Sequence, residues 1–335
     1  FVLAKIMTIE EMGLFFLGIN VVTVLTIIAV GGLATGLRRY VSIAHGKEDA
    51  GLAWDYFNTS IIIVVPFVSA ISLVILMFSE EISTGLFSKP DLANVLIALI
   101  PFLNLYVLSQ LFLSVTQAYK QMKYWVICLD IVNNLLRILI ALALALLGFS
   151  LYSGIWAYVI AILVTTMMAF HYFKKTIPER EKKPNNYKIS EMMSFSFPVT
   201  LSIIADTSNG LLAALLVGFF LSASDVGLYT VAIKIVGVGA IVLSSFNTMF
   251  SPLISQLHNQ NKTKELKTLF TCITRWVFSI SLPVYILIAW YSGSIGALFG
   301  EEYIAAQVCI IVLCLGLLVN ALTGPSGNML LMSGY

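Results

Sequence analysis

Long apolar runs separated by short polar stretches dominate the chain. A helix needs about 20 apolar residues to cross the hydrocarbon core of a bilayer, and Gly, Ser and Pro are tolerated inside such runs where neighbouring helices shelter the backbone. Nine runs meet this measure, near residues 13–37, 57–78, 92–118, 125–147, 153–173, 195–220, 226–250, 273–291 and 304–332, after a short stub at Phe1–Met7. The pattern predicts an all-α polytopic membrane protein. Composition agrees: the chain is 59% hydrophobic and only 11% charged, with a mean hydropathy of +0.95, whereas a soluble domain is roughly 25% charged.

The net charge of +2 is nearly neutral and gives no basis for nucleic-acid binding, so the placement of the cations matters more than their number. Four alternate loops hold Arg38, Arg39 and Lys47; Lys120 and Lys123; Lys174, Lys175, Arg180, Lys182, Lys183 and Lys188; and Lys262, Lys264, Lys267 and Arg275. These are 15 of the 19 Lys and Arg residues. The intervening loops carry Glu80, Glu81, Lys89 and Asp91, then no charge, then Asp225, then Glu301 and Glu302. By the positive-inside rule the basic set is predicted to be cytoplasmic, in a multi-pass protein of the cytoplasmic membrane.

The chain also repeats itself. Glu11-Met-Gly-Leu-Phe15 reads like Asp225-Val-Gly-Leu-Tyr229, and Gly85-Leu-Phe87 like Ala297-Leu-Phe299, at offsets of 214 and 212. Both units begin and end on the same predicted sides, which implies parallel repeats about an axis along the membrane normal. The most polar segment, 174–194, falls between them and reads as a cytoplasmic linker. The expected organisation is an N-lobe over 1–173 (the end of helix 1 plus helices 2–6), the linker, and a partial C-lobe over 195–335 (helices 7–10). On this reading the chain is truncated at both ends.

Polar residues within the spans are the candidates for chemistry, because a charge at a helix centre costs ~2.5–3.5 kcal/mol or more unless paired or hydrated. Asp130, Asn133, Asn134 and Arg137 stand at spacing i, i+3, i+4, i+7, which in an α-helix places them on one face. Arg137 lies about 18 Å from the inner end of its span, too deep to snorkel easily. A guanidinium suits bidentate contact with phosphate oxygens, and the alternative role for Arg137 is an ion pair that holds the bundle together. Lys234 sits about 12 Å from the outer end of its span. Asn20 occupies the equivalent repeat position and is expected on the facing wall. Asp206, with Ser208 and Asn209 nearby, is a candidate for proton or Na⁺ coupling or for pairing with a cation. Six prolines in or beside spans read as ordinary membrane-helix features, with Gly324-Pro-Ser-Gly327 a sharper break. The three histidines map to the cytoplasmic edge, and the four cysteines show no disulfide or metal spacing. No phosphate-binding loop, zinc motif or Ser/His/Asp arrangement is legible, so no catalytic, metal or cofactor site is predicted.

Taken together, several motifs resemble the polysaccharide transporters of the multidrug/oligosaccharidyl-lipid/polysaccharide exporter superfamily, relatives of the O-antigen flippases. They are Leu3-Ala-Lys-Ile-Met7 with Glu10-Glu-Met-Gly13, Gly36-Leu-Arg-Arg-Tyr40, Tyr119-Lys-Gln-Met-Lys-Tyr124 and Ser194-Phe-Ser-Phe-Pro198. Phe299-Gly-Glu-Glu-Tyr303 followed by Asn320-Ala-Leu-Thr-Gly-Pro-Ser-Gly327 is the strongest run. The resemblance implies a two-lobed, inverted-V bundle rocking around a central cavity. Its implied cargo is a polyprenyl diphosphate-linked oligosaccharide, with Na⁺ or H⁺ as a coupling ion and glycan-assembly enzymes as partners. Where the family often carries an Asp, five residues before Gly218, this chain has Ala213. Two alternatives are a multidrug–cation antiporter of the same superfamily and a membrane-embedded glycosyl polymerase or ligase. The first favours acidic cavities; the second needs a longer outer loop than any here to hold acid/base groups.

Overall fold

A computed structural model describes residues 2–179, 187–260, 262–326 and 329. Among the described residues all regular structure is helical. The first compact unit, Phe1–Val226, contains α1 (Val2–Ile6), α2 (Ile9–Val30), α3 (Leu33–Gly46), α4 (Ala50–Glu81) and α5 (Leu92–Ala118). It continues with α6 (Met122–Trp125), α7 (Asn133–Leu146), α8 (Leu151–Thr176) and α9 (Ile189–Phe220). Helix α10 (Ala223–Asn259) starts in this unit and continues into the second, Gly227–Tyr335, which adds α11 (Thr263–Trp290), α12 (Ser292–Phe299) and α13 (Gln307–Thr323). Two wide π-helical turns, Ile82–Leu86 and Val126–Val132, join α4 to its outer loop and α6 to α7. Eight stretches among the described residues are long and apolar enough to cross a membrane.

The helices outrun the apolar runs on the basic side. Helix α4 begins at Ala50, seven residues before its run, because the Asp49 carboxylate caps it by accepting the Leu52 amide at 2.8 Å. Helix α11 likewise starts at Thr263 rather than near 273. An apolar run measures the hydrocarbon crossing, whereas the helix propagates into the headgroup layer while caps and propensity allow. The last run is interrupted at the break expected there: α13 ends at Thr323, where Gly324 takes φ 62°.

In the first unit α5 is the central post, packed by α2, α3, α4 and α8 and fully burying Leu99, Leu103, Leu111 and Leu113. In the second, α11 packs on α13 through Ile273, Val277 and Ala321. The repeat is visible in local structure. Thr8 and Glu11 close a capping box before α2, with amide to side-chain bonds of 3.2 and 3.0 Å. Ser222 and Asp225 close the same box before α10, with the same two lengths. Helix α9, the first after the polar segment, lies in the first unit against α2, α3 and α4. The expected linker falls partly on residues 180–186, which lie outside those described.

Candidate functional site

The first unit encloses a cavity of about 400 Å³ lined by α2, α3, α5, α7, α8 and α9. Two guanidinium groups, Arg38 and Arg137, face it together with Thr35, Tyr106, Gln110 and Tyr158. No acidic residue is among the described lining residues.

Arg137 enters from α7. Its guanidinium carbon sits 3.9 Å from the centroid of the Tyr158 ring and 5.7 Å from that of Phe102, so one face of the planar group is covered by aromatic surface. Its Nε is buried with no hydrogen-bond partner among the described residues. An unsatisfied buried donor on a charged group costs more than ~1–3 kcal/mol.

Arg38 enters from α3 because the α2–α3 span is broken. Gly31 takes φ 50° and ψ −147°, outside the helical region, and α3 restarts after Gly32. The Gly32 amide, released from the helix ladder, donates to the Thr200 hydroxyl of α9 at 2.6 Å. Beyond the break, Arg38 Nη2 donates to Thr35 Oγ1 at 3.3 Å.

Helix α9 is pinned at both ends. At its N-terminal end Tyr40 and Tyr56 donate to the Glu191 carbonyl and carboxylate, each at 3.0 Å. At its C-terminal end the buried ammonium of Lys89 donates to the carbonyls of Gly218 at 2.7 Å and Leu221 at 2.8 Å, and to that of Phe87 at 3.0 Å. A cation there complements the negative end of the helix dipole. Burial pushes the Lys89 pKa below the ordinary lysine value, and Asp225 opposes that shift.

Of the residues singled out from the sequence, the structure brings Arg137 to the cavity. Asn133 is buried, and its Oδ1 has no hydrogen-bond partner among the described residues. Asp130 and Asn134 are exposed, with Asn134 Nδ2 donating to the Asp130 carbonyl at 2.8 Å. The expected shared face is altered by the π turn Val126–Val132. Asp130 lies inside this turn, and neither it nor Asn134, which shares α7 with Arg137, is among the cavity-lining residues. Asn20 is half-buried on α2 and not among the lining residues; Lys234 is exposed on α10 in the second unit. The Asp206 side chain lies outside those described. Arg38 was missed because an arginine pair closing an apolar run reads as an inner boundary. The signal in the sequence is Gly31-Gly32, a glycine pair that interrupts the span six residues before Arg38.

Residues 1–258 match the family described as "Polysaccharide biosynthesis protein", and residues 198–335 match the MatE family. Over 122 residues the chain is 27% identical to the teichuronic acid biosynthesis protein TuaB of Bacillus subtilis, a match that spans 36% of this chain and 25% of that protein. The fold is similar to an inward-facing multidrug resistance MATE family transporter of the MOP superfamily, with TM-score 0.70, 14% identity, and 99% of this chain and 83% of that one covered. It is also similar to the lipid II flippase MurJ in an inward closed conformation, with TM-score 0.69, 14% identity, and coverage of 97% and 70%. A MOP superfamily transporter from Pyrococcus furiosus superposes with TM-score 0.56 at 17% identity, covering 99% and 79%. With more than half of its length matched by the first of these families, the chain belongs to the polysaccharide biosynthesis protein family, and its fold is that of the MOP superfamily transporters.

Proposed function

We propose that the chain is the major part of a flippase that moves a polyprenyl diphosphate-linked oligosaccharide from the cytoplasmic to the outer leaflet. In this reading two lobes, 1–173 and 195–335, rock about the cytoplasmic linker 174–194 in the cytoplasmic membrane, and no covalent chemistry is performed. The observation that carries it is the pair Arg38 and Arg137 on one cavity whose described lining holds no acid. A diphosphate diester carries about two negative charges, which two guanidinium groups neutralise with bidentate contacts. Moving that charge through hydrocarbon without such partners is prohibitive.

Tyr158 holds the Arg137 guanidinium both by its ring, 3.9 Å from the guanidinium carbon, and by a side-chain hydrogen bond, which keeps the group at the cavity wall. Threonine and glutamine side chains along the same wall supply neutral partners for hydroxyl-rich cargo. A cation-exporting antiporter would leave both arginines opposed to its cargo. Asp206 is retained as the site at which Na⁺ or H⁺ couples transport.

Full-length protein in proteoliposomes is expected to translocate a polyprenyl diphosphate oligosaccharide. Arg137→Ala and Arg38→Ala should each cut the rate at least about tenfold, and Arg137→Lys should fall between, having lost the bidentate fork. Wild-type flipping by both alanine variants, or efflux of a cationic dye in place of lipid flipping, would sink the proposal.

A further inference from the structure

The break between α2 and α3 does more than bend the span. At ~100° per residue, an uninterrupted helix carries the centre of the cavity-facing stripe of α2, set by Ile19, Thr23 and Val30, on to Leu37 and Val41, and leaves Arg38 at the margin beside Ile27. Leu37 and Val41 are fully buried in the protein core, at 0% exposure, and Thr35 and Arg38 stand at the cavity instead. The break therefore turns α3 relative to α2 by somewhat less than one ~100° residue step, which brings Arg38 from the margin of the stripe to its centre.

Opening a helix by one turn frees an amide, and an amide left unpaired away from water is expensive. Here the freed amide is that of Gly32, and its acceptor is supplied by α9. The Thr200 hydroxyl commits its own proton to the Ser196 carbonyl at 2.8 Å, leaving a lone pair for Gly32. The approach is close enough that a Cβ on Gly32 would lie 2.2 Å from the Ser196 carbonyl oxygen, so the contact is a fitted one.

We infer that Thr200 is a positioning residue for the cavity: by capping the Gly32 amide it holds the break open, and so keeps Arg38 rather than Leu37 turned toward the cargo. The headgroup affinity of the site is set in part from α9, a helix whose own cavity contact, Ile203, is apolar. This rests on the proposed cargo only for its effect on affinity; the rotation of α3 concerns this chain alone.

Two readouts separate those parts. In a cysteine-free background of the full-length protein, Thr35→Cys is expected to react with a maleimide and Leu37→Cys to be protected. Adding Thr200→Val should reverse that pattern, Thr200→Ala should do the same without added bulk, and Thr200→Ser should preserve it. With farnesyl diphosphate as probe, Thr200→Val should weaken binding about tenfold, the scale of one buried hydrogen bond, with Thr200→Ser within about twofold of wild type. Unchanged labelling in both Thr200→Val and Thr200→Ala overturns the positioning role even if farnesyl diphosphate binds. Reversed labelling in a protein whose wild type ignores farnesyl diphosphate keeps the positioning role and removes the diphosphate cargo.

Discussion

Lys89 illustrates how a charge is kept in a buried place. Three carbonyl oxygens take its three protons, and two of them belong to the last turn of α9, where the helix has no donors of its own. Lys89→Met leaves those carbonyls without a donor while preserving bulk. It is expected to destabilise the protein by about 2–4 kcal/mol, read as a lower unfolding temperature in detergent micelles, with Lys89→Arg closer to wild type. An unchanged transition in the Met variant would show that the clasp contributes nothing. In the sequence Lys89 reads only as an outer-loop charge, since main-chain carbonyls leave no compositional trace. Arg137 was legible because a lone arginine deep in an apolar run is anomalous. Arg38 was not, because Arg39 beside it does behave as a boundary residue, exposed and 4.3 Å from the Phe195 ring.

At the scale of the element, apolar runs located the spans, and their ends depended on caps and breaks that hydropathy does not register. Each capping box takes its acidic member, Glu11 or Asp225, from the repeated motif and its hydroxyl, Thr8 or Ser222, from three residues before it. The close approaches of α9 make a graded test. Gly32→Ala drives a Cβ into a backbone carbonyl and should destabilise by about 1–3 kcal/mol. Gly218→Ala meets Leu17 Cδ1 at 2.4 Å, the movable end of a side chain, and should cost less. Gly46→Ala meets nothing within 4 Å and should be neutral or slightly stabilising. The same thermal measurement on all three checks the order; equal effects would mean that α9 is not held by close packing.

For the whole molecule, charge alternation predicts sidedness. A cysteine replacing Phe149 should react with an impermeant thiol reagent in intact cells, and one replacing Lys175 only after permeabilisation; the reverse result inverts the topology. The contact boundary at Val226 was less legible, since α9 follows the polar segment in sequence and packs in space with the helices before it. The wide turn at Val126–Val132 also bears on the sign of the cavity. Such a turn is an α-helix carrying one residue too many. A chain shortened by one residue between Val126 and Leu129 closes to ordinary α-helix and returns the Asp130 carboxylate to the arginine's side, ~10 Å below it. A single-codon deletion outside the cavity wall would thus set one carboxylate against the two guanidinium groups and halve the net positive charge of the site.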